Sequence, residues 1–93
     1  METYFVNTIN SVENISGERC VSQMAYVSET VGSVVAGKFN SKSDAEKLAD
    51  LINDEVIYHD NLNVFVDNGK IEVTLDCRNN SFYSGLIAAG YKE

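Results

Sequence analysis

The residues of this chain best suited to nucleophilic chemistry are two cysteines, Cys20 and Cys77, and the only histidine, His59, which precedes Asp60. A thiol becomes a nucleophile when a neighbouring base takes its proton, so a Cys-His-Asp site requires these side chains to converge. Their spacing gives no sign of this, and we interpret His59 as a surface residue in a loop. The sequence therefore predicts no catalytic residue.

The same side chains are too few for a zinc site, which usually has four ligands, unless two chains share the ion. Asp50, Asp54 and Asp60 lack the D-x-D-x-D-G spacing of a calcium loop. The glycines are isolated, so no loop is predicted to cradle a phosphate. We predict neither a metal nor a cofactor, and we interpret the cysteines as buried, reduced thiols, with a disulfide across the sheet as the alternative.

Charge is the stronger chemical signal. The chain has 14 acidic and seven basic residues, a net charge of −7, and residues 44–76 hold nine of the acids against two lysines. One interpretation is a solvated face that maintains solubility. The other is an acidic surface that binds a basic groove of another protein and imitates the spaced charges of nucleic acid.

Two details favour the second interpretation. Asp50 and Asp54 are neighbours of like charge at i and i+4, and Asp54 and Glu55 lie near the negative end of a predicted helix, where acids are unfavourable. Tyrosines add a second interface signal, because tyrosine is enriched at binding hot spots, although partly buried tyrosines at a sheet edge are the commoner case. The candidate partner-binding residues are Asp50, Asp54, Glu55, Asp60, Asp67, Glu72, Asp76, Tyr58 and Tyr83.

Composition limits the classes of partner. No run approaches the ~20 apolar residues needed to span a bilayer, and the amino terminus lacks the pattern of a secretory signal, so we expect a cytoplasmic protein with no membrane partner. No cluster of Lys and Arg is available to bind a phosphate backbone, which disfavours nucleic acid as a direct ligand. The expected partner is a host protein or ribonucleoprotein complex with a basic groove.

The element that organises the fold is a helix within residues 39–58. Its apolar residues, Ala45, Leu48, Ala49, Ile52 and Val56, form one stripe. Ser41 or Ser43 is the expected N-cap, and Ser43 with Glu46 matches a capping box.

Strands are predicted on both sides of this helix. We predict a strand over 3–10 with Phe5 and Ile9 inward, a loop over 11–18, and a hairpin across 19–39 that turns at 29–32. Gly37 is expected to mark a bulge or a close backbone approach. A second hairpin, 62–67 and 70–77, turns at Asn68-Gly69, and a helix over 81–89 closes the chain.

The predicted order is β-β-β-α-β-β-α in a single domain spanning 1–93. We therefore expect an α+β two-layer sandwich, an antiparallel sheet with helices on one face.

The run from Phe39 to Asn53, FNSKSDAEKLADLIN, resembles the strand-into-helix segment of many small acidic proteins of phages and mobile elements, the anti-CRISPR inhibitors of host defence among them. The likeness covers about a sixth of the chain. It implies stoichiometric binding that blocks a host protein, in the cytoplasm of the host cell, with no turnover. No binding residue transfers from it.

Two hypotheses follow from different classes of protein. The first is an inhibitor whose acidic surface occupies the nucleic-acid channel of a host nuclease or defence complex. The second is a self-associating structural or accessory domain that pairs through an edge strand or the closing helix, and a strict monomer would count against it. The expected oligomeric state across the two hypotheses is monomer or homodimer. A small thiol enzyme using Cys77 or Cys20 with His59 is a third and weaker alternative.

Overall fold

The computed structural model describes residues 2–93. The predicted element order and the α+β two-layer architecture are confirmed. The strands are β1 (Tyr4–Ile15), β2 (Glu18–Ser28), β3 (Val35–Phe39), β4 (Val64–Asp67) and β5 (Lys70–Val73), and the helices are α1 (Lys42–Asn53) and α2 (Ser81–Ala88).

The five strands form one sheet in the order β2-β1-β3-β4-β5. The sheet is mixed rather than wholly antiparallel, because β3 and β4 run parallel, with Gly37 opposite Val66. The chain leaves β3, crosses one face of the sheet through α1 and returns as β4. A helical crossover between neighbouring strands gives parallel pairing, whereas a tight turn would have reversed the direction.

The predicted hairpin across 19–39 is wrong, since β2 pairs with β1 and not with β3. Residues 11–18, predicted as a loop, form the tip of a long hairpin made of β1 and β2 instead. Its two-residue turn is Ser16-Gly17, with φ of 53° and 81°. Positive φ at both positions matches the twist of the flanking strands, as in a type I′ turn.

This hairpin extends past the rest of the sheet. Pairing between β1 and β3 ends at Asn7 and Val35, and every residue from 9 to 22 is exposed. We call residues 9–22 the arm. It contributes to an elongated shape of 47 × 28 × 20 Å.

The inward face of β1 is opposite to the predicted one. Val6 is fully buried and Thr8 is buried, whereas Ile9 is 48% exposed. Asn7, on the other face, is also buried because its side chain donates to the Thr30 carbonyl and accepts from the Gly32 N–H. The loop between β2 and β3 thus covers part of the face that has no helix.

Helix α1 begins after Ser41, whose hydroxyl accepts from the Asp44 N–H as N-cap. Ser43 lies inside the helix, so the proposed capping box is wrong. Four residues of the predicted stripe are buried, but Val56 lies beyond the helix and is 63% exposed. The buried ones are Ala45, Leu48, Ala49 and Ile52.

A side chain of α1 packs closely against Gly37 of β3, and the ladder between β1 and β3 is irregular beside it. A Cβ at this position would lie 2.8 Å from Leu48 Cδ2 and 3.2 Å from the Val66 carbonyl oxygen, so a larger residue would force Leu48 to move. Both expectations for Gly37 are confirmed.

Helix α2 completes the core with Phe82 and Leu86, both fully buried. Asn80 is its N-cap, and Gly90 follows its end at φ 102°. The Asn68-Gly69 turn between β4 and β5 is also confirmed, with φ of 50° and 89°.

Candidate functional site

The seven candidate acids lie in three different environments. Asp67 and Glu72 lie on the face of β4 and β5 that points away from the helices, because the buried Val66 and Ile71 point towards them. Asp67 forms an ion pair with Lys38, with Nζ to Oδ2 at 3.8 Å. These two acids are therefore on the opposite side of the sheet from those of α1.

Two more candidates have partners within the chain. Asp76 accepts from Arg78 at 3.0 Å, and Arg78 also pairs with Glu93. Asp60 accepts hydrogen bonds from the Ser81 and Phe82 N–H groups and from the Ser81 hydroxyl, which satisfies the free donors at the start of α2. Its role in the fold is to hold the amino-terminal end of α2.

The remaining candidates, Asp50, Asp54 and Glu55, lie in or just after the last turn of α1, and we call them the acidic corner. None of the three forms a salt bridge with any residue from 2 to 93. The last turn of α1 has no basic residue, so the negative end of the helix dipole adds to their charge. Glu55 has φ of 60°, a left-handed conformation that favours glycine.

A groove of about 420 Å³ lies beside this corner, between β2 and the segment that follows α1. Three of its apolar side chains are open to solvent: Val21 at 49%, Val56 at 63% and Tyr58 at 41%. The lining residues are Val21, Ser22, Gln23, Ile52, Glu55, Val56, Ile57, Tyr58 and Ser81. The groove thus joins an apolar floor to one carboxylate of the acidic corner, that of Glu55.

Two side-chain amides fix β2 against the segment 53–59. Asn53 Oδ1 accepts from the Ala25 N–H at 2.8 Å, and its Nδ2 donates to the Ala25 carbonyl at 2.9 Å. Gln23 forms the same pair with the backbone of His59, at 2.7 and 3.1 Å. These bonds hold the two walls of the groove at a defined separation.

His59 is buried, at 5% exposure, so the expectation of a surface histidine is wrong. Its Nδ1 lies 3.4 Å from Thr8 Oγ1, and its ring contacts Phe82 edge-on with centroids 4.5 Å apart. Burial lowers its pKa below the usual range, although the backbone carbonyls of Val64 and Asn61 and the charge of Asp60 partly oppose this. Its Nε2 is buried without a hydrogen bond to any residue of 2–93.

The pKa of Asp60 is lowered. Burial alone would raise it, but the hydrogen bonds from Ser81 and Phe82 outweigh that effect.

The two candidate tyrosines separate in the structure. Tyr58 lines the groove, whereas Tyr83 lies half-buried on α2 with its hydroxyl 3.3 Å from Glu93 Oε2. Both cysteines are free thiols, as expected, and no disulfide joins them. The expectation that they are buried is wrong, since Cys20 is exposed on the arm and Cys77 is half-buried. Within residues 2–93, no three His, Cys, Asp or Glu side chains lie together as metal ligands. No helix of this part of the chain is long and apolar enough to span a membrane.

Sequence reasoning identified Glu55 and Tyr58 but missed the other wall of the groove. Val21 and Gln23 were overlooked because Ser16-Gly17 was not recognised as a hairpin turn. Its composition is the available signal, since glycine favours positive φ and a serine-glycine pair is typical of turns.

Comparison with known proteins adds no assignment: no protein family, curated protein or solved structure matches this chain.

Proposed function

We propose that this chain is a protein-binding module that engages a basic, partly apolar surface of its partner through the acidic corner and the adjoining groove. The observation that carries the proposal is the position of three acids at the negative end of α1, beside exposed apolar side chains and without an ion pair to any described residue. Acids in this position attract cationic groups, and the apolar floor supplies area that is removed from water on binding.

The energetic cost of the acidic corner supports the proposal. Like charges at i and i+4 on a helix destabilise it by about 0.2–0.5 kcal/mol, and acids near its carboxyl end cost a similar amount. A side chain in the left-handed conformation of Glu55 adds about 1 kcal/mol. Folding alone would favour other residues at these three positions, so a partner that binds them explains their presence.

The more specific proposal is that the partner's surface normally holds a nucleic-acid backbone. Carboxylates and phosphates compete for the same Lys and Arg side chains, so occupation by this chain excludes nucleic acid in proportion to the amount bound. Stoichiometric inhibition of a host-defence nuclease complex is the role implied by the resemblance of residues 39–53 to anti-CRISPR proteins.

Binding of poly-L-lysine, measured by calorimetry at low and moderate salt, tests the general proposal. The double variant Asp54→Asn with Glu55→Gln should weaken binding about tenfold. Raising the salt concentration should also weaken the binding of poly-L-lysine by the unmodified protein. The matched control, Glu29→Gln with Glu72→Gln, removes the same charge elsewhere and should have a much smaller effect. Equal losses for the two double variants would show that only net charge matters and would overturn the proposal.

A cleavage assay tests the more specific proposal. Purified RNA-guided nuclease complexes should lose cleavage of their target DNA as this protein approaches one copy per complex, and the variant at Asp54 and Glu55 should need a higher ratio. Unchanged cleavage by every complex tested at saturating protein would reject the inhibitor role, while the poly-L-lysine result would stand by itself.

A further inference from the structure

We infer that the partner contributes an extended basic segment, which adds to the sheet as a sixth strand along the free edge of β2 at residues 19–23. This inference rests on the proposed function and specifies how the partner binds. It follows from the direction of the backbone groups on β2, the end point set by Asn53, and the charge beside that edge.

The hydrogen bonds from Asn53 show which backbone groups of β2 point outward. The N–H and C=O of Ala25 both point away from β1, because both bond to the Asn53 side chain. In an antiparallel pair this direction alternates from residue to residue, so the N–H and C=O groups of Gln23, Val21 and Arg19 also point outward. None of these six groups bonds to another part of residues 2–93.

Asn53 determines where an added strand must stop. Its amide already satisfies Ala25 as a neighbouring strand would, so pairing can extend from Gln23 towards the arm tip but not past Ala25. The open stretch from Arg19 to Gln23 is about 16 Å long, enough for about five residues of a partner strand. Edge strands in native proteins are normally covered or protected. No strand within residues 2–93 pairs with this edge of β2, and residues 19–22 are exposed.

Charge decides between the possible occupants. Glu55 lines the groove together with Val21 and Gln23, so side chains of an added strand on this face meet its carboxylate. A second copy of this chain would bring a second acidic corner and a further net charge of −7. A basic segment reduces the repulsion that a second copy would increase, so the occupant is a partner segment with cationic and apolar side chains in alternation.

The test uses a peptide of about eight alternating lysine and valine residues. Val21→Pro removes one outward N–H without removing a bond to β1 and should weaken peptide binding about tenfold. Val12→Pro is the matched control. Val12 lies directly opposite Val21, and its N–H points outward at the other edge of the arm, so the affinity of this variant for the peptide should change much less. Two further peptides carry N-methyl groups on alternate backbone nitrogens, one on the odd-numbered residues and the other on the even-numbered residues. Only the peptide whose methyl groups replace the N–H groups that face β2 should lose affinity.

Amide hydrogen exchange gives a readout that charge alone does not produce. Peptide binding should slow exchange at Arg19, Val21 and Gln23 and leave Val12 unchanged. If both proline variants bind equally well, or exchange at the β2 edge stays the same, strand addition is overturned. Should the variant at Asp54 and Glu55 still weaken binding in that case, the proposed function stands without it.

Two other outcomes also count against the inference. Absence of any binding by the peptide would overturn it, and poly-L-lysine binding would then decide the proposed function separately. Without peptide, amide exchange at the β2 edge could also become slower as the protein concentration rises. That result would show that a second copy of this chain pairs with the edge.

Discussion

The side-chain amide of Asn53 forms both hydrogen bonds that a neighbouring strand would form with Ala25, accepting from its N–H and donating to its carbonyl. One residue at the end of α1 therefore terminates the edge of the sheet. This explains why Ala25 is buried although β2 is an edge strand.

Asn53→Ala should lower the free energy of unfolding by about 1–3 kcal/mol, because the Ala25 backbone groups lose their partners. Asn53→Asp should also destabilise, since a carboxylate accepts from the N–H but repels the carbonyl. Urea unfolding of both variants measures these effects. Faster amide exchange at Ala25 in the alanine variant should accompany them, and unchanged exchange there would contradict the assignment.

Glu55→Gly should raise the free energy of unfolding by about 1 kcal/mol, because glycine adopts positive φ without strain. Glu55→Gln separates conformation from charge, since it removes the carboxylate and keeps the strain. We expect the two variants to bind poly-L-lysine with the same reduced affinity but to differ in thermal stability. A glycine variant no more stable than the glutamine variant would argue against strain at this position.

Asp60→Ala should destabilise the fold by about 1–2 kcal/mol, the usual cost of losing a helix cap. Asp60→Asn keeps an acceptor and should recover part of that loss. Neither change should alter poly-L-lysine binding by protein that remains folded, since Asp60 acts within the chain. Loss of affinity at full folding would return Asp60 to the group of partner-binding residues.

His59 should make stability depend on pH in the mildly acidic range. Its pKa is about 6.5 in the unfolded chain and lower in the folded one, so below pH ~6.5 the unfolded state binds the proton first. Stability should therefore be complete above this value and fall as the pH decreases, by at most about 1.4 kcal/mol per pH unit. Urea unfolding at several pH values measures the slope, and His59→Gln should remove it. A slope that persists in this variant would have to come from other groups.

Gly85→Ala should destabilise although alanine is the better helix former. The added Cβ would lie 2.4 Å from Ile57 Cγ2 in the buried contact between α2 and the segment after α1. Overpacking of this kind costs about 1–3 kcal/mol, which exceeds the helical gain of about 1 kcal/mol. Ser84→Ala, on the exposed side of α2, should be neutral or slightly stabilising. Thermal unfolding of Gly85→Ala in an Ile57→Ala background should show a smaller loss.

Sequence patterns predicted the fold where local chemistry determined the structure. Asn68-Gly69 specifies a turn by its own preferences, and the stripe from Ala45 to Ile52 specifies a buried helical face. The pairing of β1 with β2 was missed because Ser16-Gly17 is a weaker form of the same signal.

Other features depended on contacts between distant residues. The burial of Val6 and Thr8 instead of Phe5 and Ile9 depends on which face α1 covers, and β1 alone does not contain that information. In the site, the charge pattern predicted the acidic corner. Residue type alone could not show that Asp60 caps α2 while other acids have no partner among the described residues. That distinction requires the position of Ser81.

The backbone of His59 is bound by the side chain of Gln23, and the next side chain, Asp60, is bound to the start of α2. Two adjacent residues therefore connect the base of the arm to the last helix through hydrogen bonds. A pulling force applied at Ser16 should reach α2 along this route, and in a single-molecule stretching experiment the detachment of β2 and the release of α2 should occur as one event.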